Sequence, residues 1–200
     1  MKNIGILLTL FVLLTLAVCF VPAITNYDIL IIKAVQHALH NLPVAIPKMA
    51  GKAAYSVMIA VPLVVGNGCF LYKKMYKNAA ILCSVPLFAY CLNTIIKDVI
   101  HRARPPYYLQ IAYHPHSFSY VSRHTFITAC LWGMVIYFTQ KYIENPLLKN
   151  FIITFSGIWI VFSGFSRIWL GVHYPSDVLG AYILASVVLV LYIKFSAARS

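Results

Sequence analysis

Two short segments of the chain combine histidine with basic or acidic residues, and each comes at the end of an apolar run long enough to form a helix. The first is KDVIHRARP, at residues 97–105, and the second is SRIWLGVHYPSD, at residues 166–177. Charged groups at membrane depth are costly, so their presence there argues for a function. The residue types in both segments suit a site for a phosphate ester, because phosphate binding needs several fixed cations and hydrogen-bond donors.

Three cations and one hydroxyl are the candidate phosphate ligands: Lys97, Arg104, Arg167 and Ser122. Lys97 and Arg104 are seven residues apart, which would place them on one face of a helix two turns apart, although the prolines that follow must end any helix there. By the same spacing Arg102 points elsewhere, so we do not expect it in the site. The alternative interpretation of the cations is a basic collar that grips lipid headgroups without catalysis.

His173 and Asp177 form the candidate catalytic pair. A carboxylate one helical turn away can accept the Nδ1 hydrogen of the imidazole and leave Nε2 free to attack phosphorus. Taken singly, His173 would more often be a buried histidine with a satisfied ring, and His124 a residue at a helix end. The spacing to Asp177, one of four acidic residues, favours catalysis.

The scarcity of acidic residues also bears on metal ions. Metal-dependent phosphatases hold Mg²⁺ or paired ions with several carboxylates. The four acids of this chain cannot make such a cage, since Asp28 is far along the chain and Glu144 belongs to a loop on the opposite side. We therefore expect no metal and no cofactor, and a covalent mechanism on histidine.

The elements that must position these residues are membrane helices. Hydrophobic residues make up 62% of the chain and charged residues 10%, a composition that excludes a soluble domain. We predict one domain over residues 1–200, all-α, with about six transmembrane helices. Runs without charged residues or histidine define the six spans: Ile4–Tyr27, Ala53–Tyr72, Ala79–Ile96, Thr125–Gln140, Phe151–Ser166 and Val178–Ile193.

The net charge of +12 is dispersed among these spans, so anionic lipid is the expected partner and nucleic acid is not. Oligomeric state has no signal in the sequence.

The last three runs are short, and this decides where the candidate residues lie. Sixteen residues cover about 24 Å of a hydrocarbon core about 30 Å thick, so these helices must carry charge into the membrane edge. If the chain weaves up and down, His124, Arg167, His173 and Asp177 all come to one side. Retention of the first run as a span, preferred here over a cleaved signal peptide, puts both termini inside and the motifs outside. Residues 26–52 form either an amphipathic surface helix or a connecting loop.

The motifs resemble those of the type 2 phosphatidic acid phosphatase, or lipid phosphate phosphatase, superfamily, which shares a helical core with vanadium haloperoxidases. The first family signature, Lys, six residues, Arg-Pro, is matched in full from Lys97 to Pro105. The third, Ser-Arg, five residues, His, three residues, Asp, is matched in full from Ser166 to Asp177. The second is usually Pro-Ser-Gly-His, and here it reads Val121, Ser122, Arg123, His124. The resemblance covers about residues 97–180.

The resemblance implies a role for each candidate. His173 attacks phosphorus and becomes phosphohistidine while Asp177 holds its ring, and His124 protonates the leaving alkoxide and then activates water. The phosphate oxygens are held by the cations and the hydroxyl: Lys97, Arg104, Arg167 and Ser122. Arg123, unusual at its position, is expected to contact a second phosphate or an anionic headgroup. Gly171 and Pro175 are expected to shape the turn around His173, and we interpret His101, His114 and His116 as surface histidines.

The resemblance also implies an activity and a place. The expected enzyme is a membrane phosphatase of a bacterial inner membrane, with its site on the periplasmic face. Its expected substrate is phosphatidylglycerophosphate, phosphatidic acid, undecaprenyl pyrophosphate or a lipid A phosphate. Two alternatives stay open, a vanadium haloperoxidase-like enzyme and a non-enzymatic lipid-binding or transporter subunit that has kept the cations.

Overall fold

The computed structural model describes residues 2–49 and 52–197, and every regular element in these two ranges is helical. The helices in chain order are α1 (Lys2–Phe20), α2 (Pro22–Ala38), α3 (Ala45–Lys48), α4 (Lys52–Tyr72), α5 (Tyr76–Ile100), α6 (Arg123–Tyr142), α7 (Pro146–Trp169) and α8 (Pro175–Ala197), with a short 3-10 helix at Tyr107–Leu109. The six predicted apolar runs fall on α1 and on α4 to α8. The expectation of an all-α, multi-pass membrane protein is therefore confirmed.

Among the described residues, length and apolarity alone identify four helices that could each cross a membrane: α4, α5, α7 and α8. The bent pair α1 and α2 would make a fifth span. Helix α6 is less apolar because it lies in the middle of the bundle, packed against α4, α5, α7 and α8. Its polar side chains Thr125, Thr128 and Thr139 are buried against protein rather than lipid, which removes the cost of exposing them to hydrocarbon.

The core sits along α6, where large side chains meet small ones on α8. Phe126, Leu131 and Met134 are fully buried, and Ala181 and Ala185 of α8 belong to the same cluster. Small residues allow helix backbones to approach closely in a membrane, where packing rather than the hydrophobic effect drives association. This contact fixes the position of the N-terminal end of α8 relative to that of α6.

The predicted end of the first span, at Tyr27, is wrong. Helix α1 stops at Phe20, Val21 is extended, and the chain turns by 93° into α2. Pro22 explains the break, since it lacks a backbone N–H and suits the first position of a new helix. In the segment 26–52, where a surface helix and a loop were both open, the structure has helix as far as Ala38 and then a turn before α3.

Candidate active site

The site lies at one end of the bundle, where the segment between α5 and α6 meets the turn between α7 and α8. The two pack so closely that a Cβ on Gly171 would lie 1.9 Å from the carbonyl oxygen of Leu109. Gly171 also has a φ of +66°, which favours glycine. The amide of Gln36 on α2 donates to the carbonyls of Leu109 (2.8 Å) and Trp169 (3.0 Å). The turn that carries His173 is therefore held by the segment between α5 and α6 and by α2.

His173 lies in this turn and is 3% exposed. Its Nδ1 is 3.4 Å from Oδ2 of Asp177, in the first turn of α8. The same carboxylate oxygen accepts hydrogen bonds from the Tyr174 N–H (2.9 Å) and from the Ser119 hydroxyl (2.5 Å). Because a carboxylate accepts hydrogen bonds, it favours the tautomer with hydrogen on Nδ1 and the lone pair on Nε2. The ring is thus oriented with the lone pair of Nε2 away from Asp177.

Arg104 is the cation next to that nitrogen. Its Nη1 is 3.2 Å from Nε2 of His173 and donates to the carbonyl of Val172 at 2.6 Å. Its other nitrogens bond Ser117, through Nε to the carbonyl (2.6 Å) and through Nη2 to the hydroxyl (3.0 Å). A phosphate oxygen held by this guanidinium would therefore lie beside the nucleophile.

Both groups have pKa values that suit this arrangement. Burial, and then the charge of Arg104, hold the pKa of His173 well below its usual range, so the imidazole is neutral at pH 7. Burial also lowers the pKa of Arg104 to about 10, which leaves it protonated at pH 7. His173 is therefore neutral and its neighbour Arg104 is a cation.

Lys97 reaches the site from the last turn of α5, but not along a helix face shared with Arg104. Helix α5 ends at Ile100, and His101 adopts a left-handed conformation with φ 50°, so Arg104 lies beyond the helix. The helix-face argument from the spacing is wrong in this respect. The two cations converge all the same, since Lys97 and Arg104 both donate to the carbonyl of Phe118.

The third group of candidates lies at the start of α6. Ser122 is the residue before the first turn, and its buried hydroxyl is 3.0 Å from that of Thr125. The Arg123 Nε donates to Asn93 Oδ1 at 3.1 Å, and its guanidinium lies 4.8 Å from the ring centre of Tyr90. The side chain of Arg123 therefore points towards α5.

His124 and Arg167 complete the set of candidates. The ring of His124 packs on Tyr55 of α4, with centroids 4.2 Å apart. Arg167 is fully buried and donates to the hydroxyls of Tyr113 (2.9 Å) and Ser166 (3.1 Å). Burial first, and then four positive charges, lower the pKa of His124: those of Arg167, Arg123, Arg104 and Lys97. The structure thus gathers the cations from all three motifs around one histidine.

Two residues of the site were not expected there. Arg102 donates from Nη1 to Asp177 Oδ1 at 2.5 Å and from Nη2 to Asp28 Oδ2 at 2.9 Å. Asp28 on α2 also accepts from the backbone N–H of Ser176 at 3.0 Å and from its hydroxyl. The predictions that Arg102 points elsewhere and that Asp28 is remote are both wrong. Helix α5 unwinds before Arg102, and the bend between α1 and α2 brings Asp28 back to the site.

Other predicted features have simpler outcomes. His101, His114 and His116 are exposed, as expected of surface histidines. Ser119, whose hydroxyl bonds Asp177, was missed, and no pattern in the sequence marks it. For Asp28 the sequence did carry one signal. The chain has four acidic residues, so each of them, Asp28 included, was a candidate for a buried position with a function.

Two proteins of Bacillus subtilis (strain 168) are similar to this chain in sequence. Phosphatidylglycerophosphatase B of Bacillus subtilis (strain 168) is 33% identical over 123 residues, which are 60% of this chain and 58% of that protein. Undecaprenyl-diphosphatase BcrC of the same organism is 35% identical over 83 residues, 42% of this chain and 38% of that protein. The chain thus matches 58% and 38% of the length of these two relatives.

A solved structure extends the similarity over the whole fold. The crystal structure described as the first transmembrane PAP2 type phosphatidylglycerolphosphate phosphatase, from Bacillus subtilis, superimposes with a TM-score of 0.83 and 27% identity. The match covers 100% of this chain and 98% of that one. The family description "PAP2 superfamily" matches residues 78–200, which contain all three motifs. The resemblance read from the motifs is therefore confirmed, and the chain belongs to the PAP2 superfamily.

Proposed function

We propose that this protein is a membrane phosphatase that hydrolyses a lipid phosphate or pyrophosphate without a metal ion, through a phosphohistidine. One observation carries the proposal: the buried His173 faces Asp177 with Nδ1 and Arg104 with Nε2. A neutral, oriented imidazole beside an anion-binding guanidinium is what attack on phosphorus requires. The names of the two Bacillus relatives, a phosphatidylglycerophosphatase and an undecaprenyl-diphosphatase, support the same reaction class.

The first half-reaction transfers the phosphoryl group to the protein. Nε2 of His173 attacks phosphorus in line with the leaving oxygen, the P–N bond forms as the P–O bond breaks, and His124 gives its proton to that oxygen. Arg104, Lys97 and Arg167 neutralise the charge that spreads over the remaining phosphate oxygens. Substrate phosphate offsets the four positive charges around His124, which favours the protonated imidazole that this step needs.

The second half-reaction returns the protein to its starting state. Water attacks phosphorus, His124 accepts the proton from the water, and the P–N bond breaks to release inorganic phosphate and free His173. Asp177 holds the ring in the same orientation through both steps. In our proposal Ser122, whose hydroxyl is buried at the start of α6, turns towards a phosphate oxygen when substrate is bound.

Arg123 is the residue that we assign to substrate choice. It is half-buried, and its charge acts on Lys97, Arg104 and His124, so it lies within electrostatic reach of the phosphate site. From there its guanidinium contacts a second phosphate or an anionic headgroup. Arg123→Gly should reduce the rate on lipid diphosphates more than on lipid monophosphates. Equal losses on both would remove Arg123 from this role.

The location of the site in the membrane suits such a substrate. The site lies at one end of the apolar helices, and we place this end at headgroup depth, where a lipid can present its phosphate while its tail stays in the bilayer. We assign the protein to a bacterial inner membrane with this end on the periplasmic face, because the lysines outside the motifs favour the opposite loops for the cytoplasm. Cysteine substitutions at Tyr108 and Leu147, both exposed, with an impermeant thiol reagent would test that orientation.

The test of the function is phosphate release by the purified full-length protein in EDTA. The substrates are phosphatidylglycerophosphate, phosphatidic acid, undecaprenyl pyrophosphate and a lipid A phosphate, assayed in parallel. We expect release from at least one lipid, inhibition by vanadate, which mimics the phosphoryl transition state, and loss of activity in His173→Ala. His116→Ala, at an exposed histidine, is the matched control. An inert wild type would support a non-enzymatic lipid-binding subunit instead.

A further inference from the structure

The strongest feature outside the predicted motif roles is a buried arginine between two buried carboxylates. Arg102 joins Asp177, which orients His173, to Asp28, which belongs to α2. We propose that Asp28 and Arg102 are positioning residues, which fix the Asp177 carboxylate and through it the nucleophile. The inference rests on the proposed function, because it assigns these residues to the same reaction at the same site.

The contacts divide the Asp177 carboxylate into two halves with different tasks. Oδ2 faces His173 and accepts from Tyr174 and Ser119, whereas Oδ1 accepts from Arg102 at 2.5 Å. A carboxylate that is held at only one of its two oxygens can still rotate about the Cβ–Cγ bond. Arg102 holds the second oxygen, so the plane of the carboxylate, and with it the direction of the hydrogen bond to His173, is fixed.

Arg102 is itself held in place, and Asp28 is one of the partners that hold it. The Nη2 of Arg102 donates to Asp28 at 2.9 Å, its Nη1 also donates to the Ser176 hydroxyl at 2.8 Å, and the guanidinium lies 4.2 Å from the ring centre of Tyr174. Asp28 is in turn anchored by two hydrogen bonds from Ser176. Each of these side chains is buried or nearly so, and loss of Arg102 would leave two buried carboxylates without their cation.

The charges matter as well as the geometry. One positive charge between two negative charges leaves the group of three with a net charge of −1. If Asp28 were neutral, Arg102 would offset Asp177 alone, and Asp177 would attract the Nδ1 hydrogen of His173 less strongly. Asp28 therefore keeps Asp177 an effective partner for His173 while Arg102 keeps it in place.

The position of Asp28 makes this an N-terminal contribution to the site. The part of the chain that matches the family description starts at residue 78, whereas Asp28 lies on α2. On the same buried face of α2, Ile32 is fully buried and Gln36 bonds the two carbonyls at the catalytic turn. The exposed face carries Tyr27 and Leu30. Helix α2 thus docks on the site with the face that presents Asp28.

The experiment compares Asp28→Asn with wild type as full-length proteins in detergent, on the lipid phosphate that the wild type hydrolyses fastest. Asparagine keeps the size and the acceptor oxygen but removes the charge. We expect kcat and the rate of phosphoprotein formation to fall by about tenfold to a hundredfold, with KM within about twofold because the cations that bind phosphate are untouched. Asp28→Glu keeps the charge and should recover part of the rate. The matched control is Asp98→Asn, since Asp98 is exposed on α5 and has no ion pair among the described residues.

The outcomes separate a positioning role from a structural one. A folded Asp28→Asn with wild-type kcat and a lowered Tm would show that Asp28 only attaches α2 to α8, and would overturn the inference. If Asp28→Asn does not fold, Arg102→Lys decides, because an ammonium group keeps the charge but cannot hold two carboxylates in the same fork. Reduced kcat at constant KM supports the inference and unchanged kcat overturns it. A wild type that releases no phosphate from any lipid overturns the proposed function itself.

Discussion

The two ends of the helix bundle carry cations in opposite ways. At the site end Lys97 is 3% exposed and Arg167 is fully buried, and both donate hydrogen bonds to protein oxygens. At the other end Lys73, Lys74 and Lys141 are exposed. An exposed lysine at a membrane edge costs little and anchors the helix, whereas a buried cation loses its hydration and persists only with compensating partners. Burial, rather than the number of cations, distinguishes the site from an anchoring collar.

The packing of side chains also differs between the two ends of the helix bundle. At the site end buried polar side chains bond one another between the helices, and Ser119, Arg102 and Asp177 form one continuous network. At the other end an apolar cavity of about 390 Å³ lies between α4 and α6, lined by residues that include Val65, Phe70 and Phe138. Preorganised geometry is needed only where charge develops in the transition state. Substitutions of similar size should therefore affect catalysis strongly at one end and weakly at the other.

The largest effect is expected for Asp177→Asn. The amide cannot act as the charged acceptor for the Nδ1 hydrogen, so His173 loses both its orientation and the stabilisation of positive charge on its ring. By analogy with a catalytic triad that lost its aspartate charge, kcat should fall by about 10³-fold to 10⁴-fold. Phosphate release and acid-quenched phosphoprotein measure the effect, with Asp98→Asn as the control. A loss of less than tenfold would mean that the charge of Asp177 does not orient and stabilise His173.

A smaller effect is expected for Arg167→Lys, because lysine keeps the charge but not the fork that bonds Tyr113 and Ser166. Removal of one preorganised donor costs about a hundredfold or more in kcat. The comparison is with Lys141→Gln at the opposite end, where loss of an exposed charge should leave kcat unchanged. Equal losses in the two variants would contradict the distinction between a buried site and an anchoring collar.

Sequence reasoning located the helices well because a membrane leaves the backbone few choices. Each crossing must satisfy its own hydrogen bonds, so an apolar run of sufficient length predicts a helix. The same reasoning failed at the end of the first span, where apolar residues continue to Tyr27 but Pro22 ends the helix and turns the chain by 93°. Hydropathy does not register that bend, and the bend determines where Asp28 lies.

For the site, local spacing predicted the contact between His173 and Asp177, which are four residues apart and 3.4 Å apart in space. The partners of Arg102 could not be predicted in this way, because they are 74 and 75 residues away along the chain. Helical periodicity also predicted the wrong direction for the Arg102 side chain, because α5 ends at Ile100 and Arg102 lies beyond the helix. Contacts within one turn follow from the sequence, and contacts between elements follow only from how the helices pack.

The pH dependence of the first half-reaction is a further consequence of burial at the site end. An ordinary histidine, with a pKa of about 6.5, would lose about tenfold of its neutral form at pH 5.5. Burial and the charges of Arg104 and Lys97 lower the pKa of His173, against the opposite effect of Asp177. The nucleophile therefore stays neutral as the pH falls through 6.5, and the acid limb of phosphoprotein formation should lie below that value.

Arg104→Gln tests the cause of this behaviour. Removal of the positive charge at 3.2 Å raises the pKa of His173, so the acid limb of the variant should move to higher pH than that of the wild type. The same lipid is used for both proteins, so titration of the substrate phosphate contributes equally and cancels in the comparison. Coincident acid limbs would mean that the charge of Arg104 does not set the state of the imidazole.

Phe138→Ala, at the cavity end, removes more of a side chain than the other variants of this comparison do, yet we expect it to have the smallest effect on catalysis. The Phe138 ring packs edge-on against Phe70, with centroids 4.9 Å apart, and is 5% exposed. Its removal enlarges the cavity and should lower Tm, because large-to-small changes in packed regions cost about 3–5 kcal/mol. The network around His173 has no member at this end, so kcat per folded molecule should stay within about twofold of wild type. A lower kcat at unchanged Tm would instead require that the packing of α6 against α4 transmits to the start of α6, where His124 meets Tyr55.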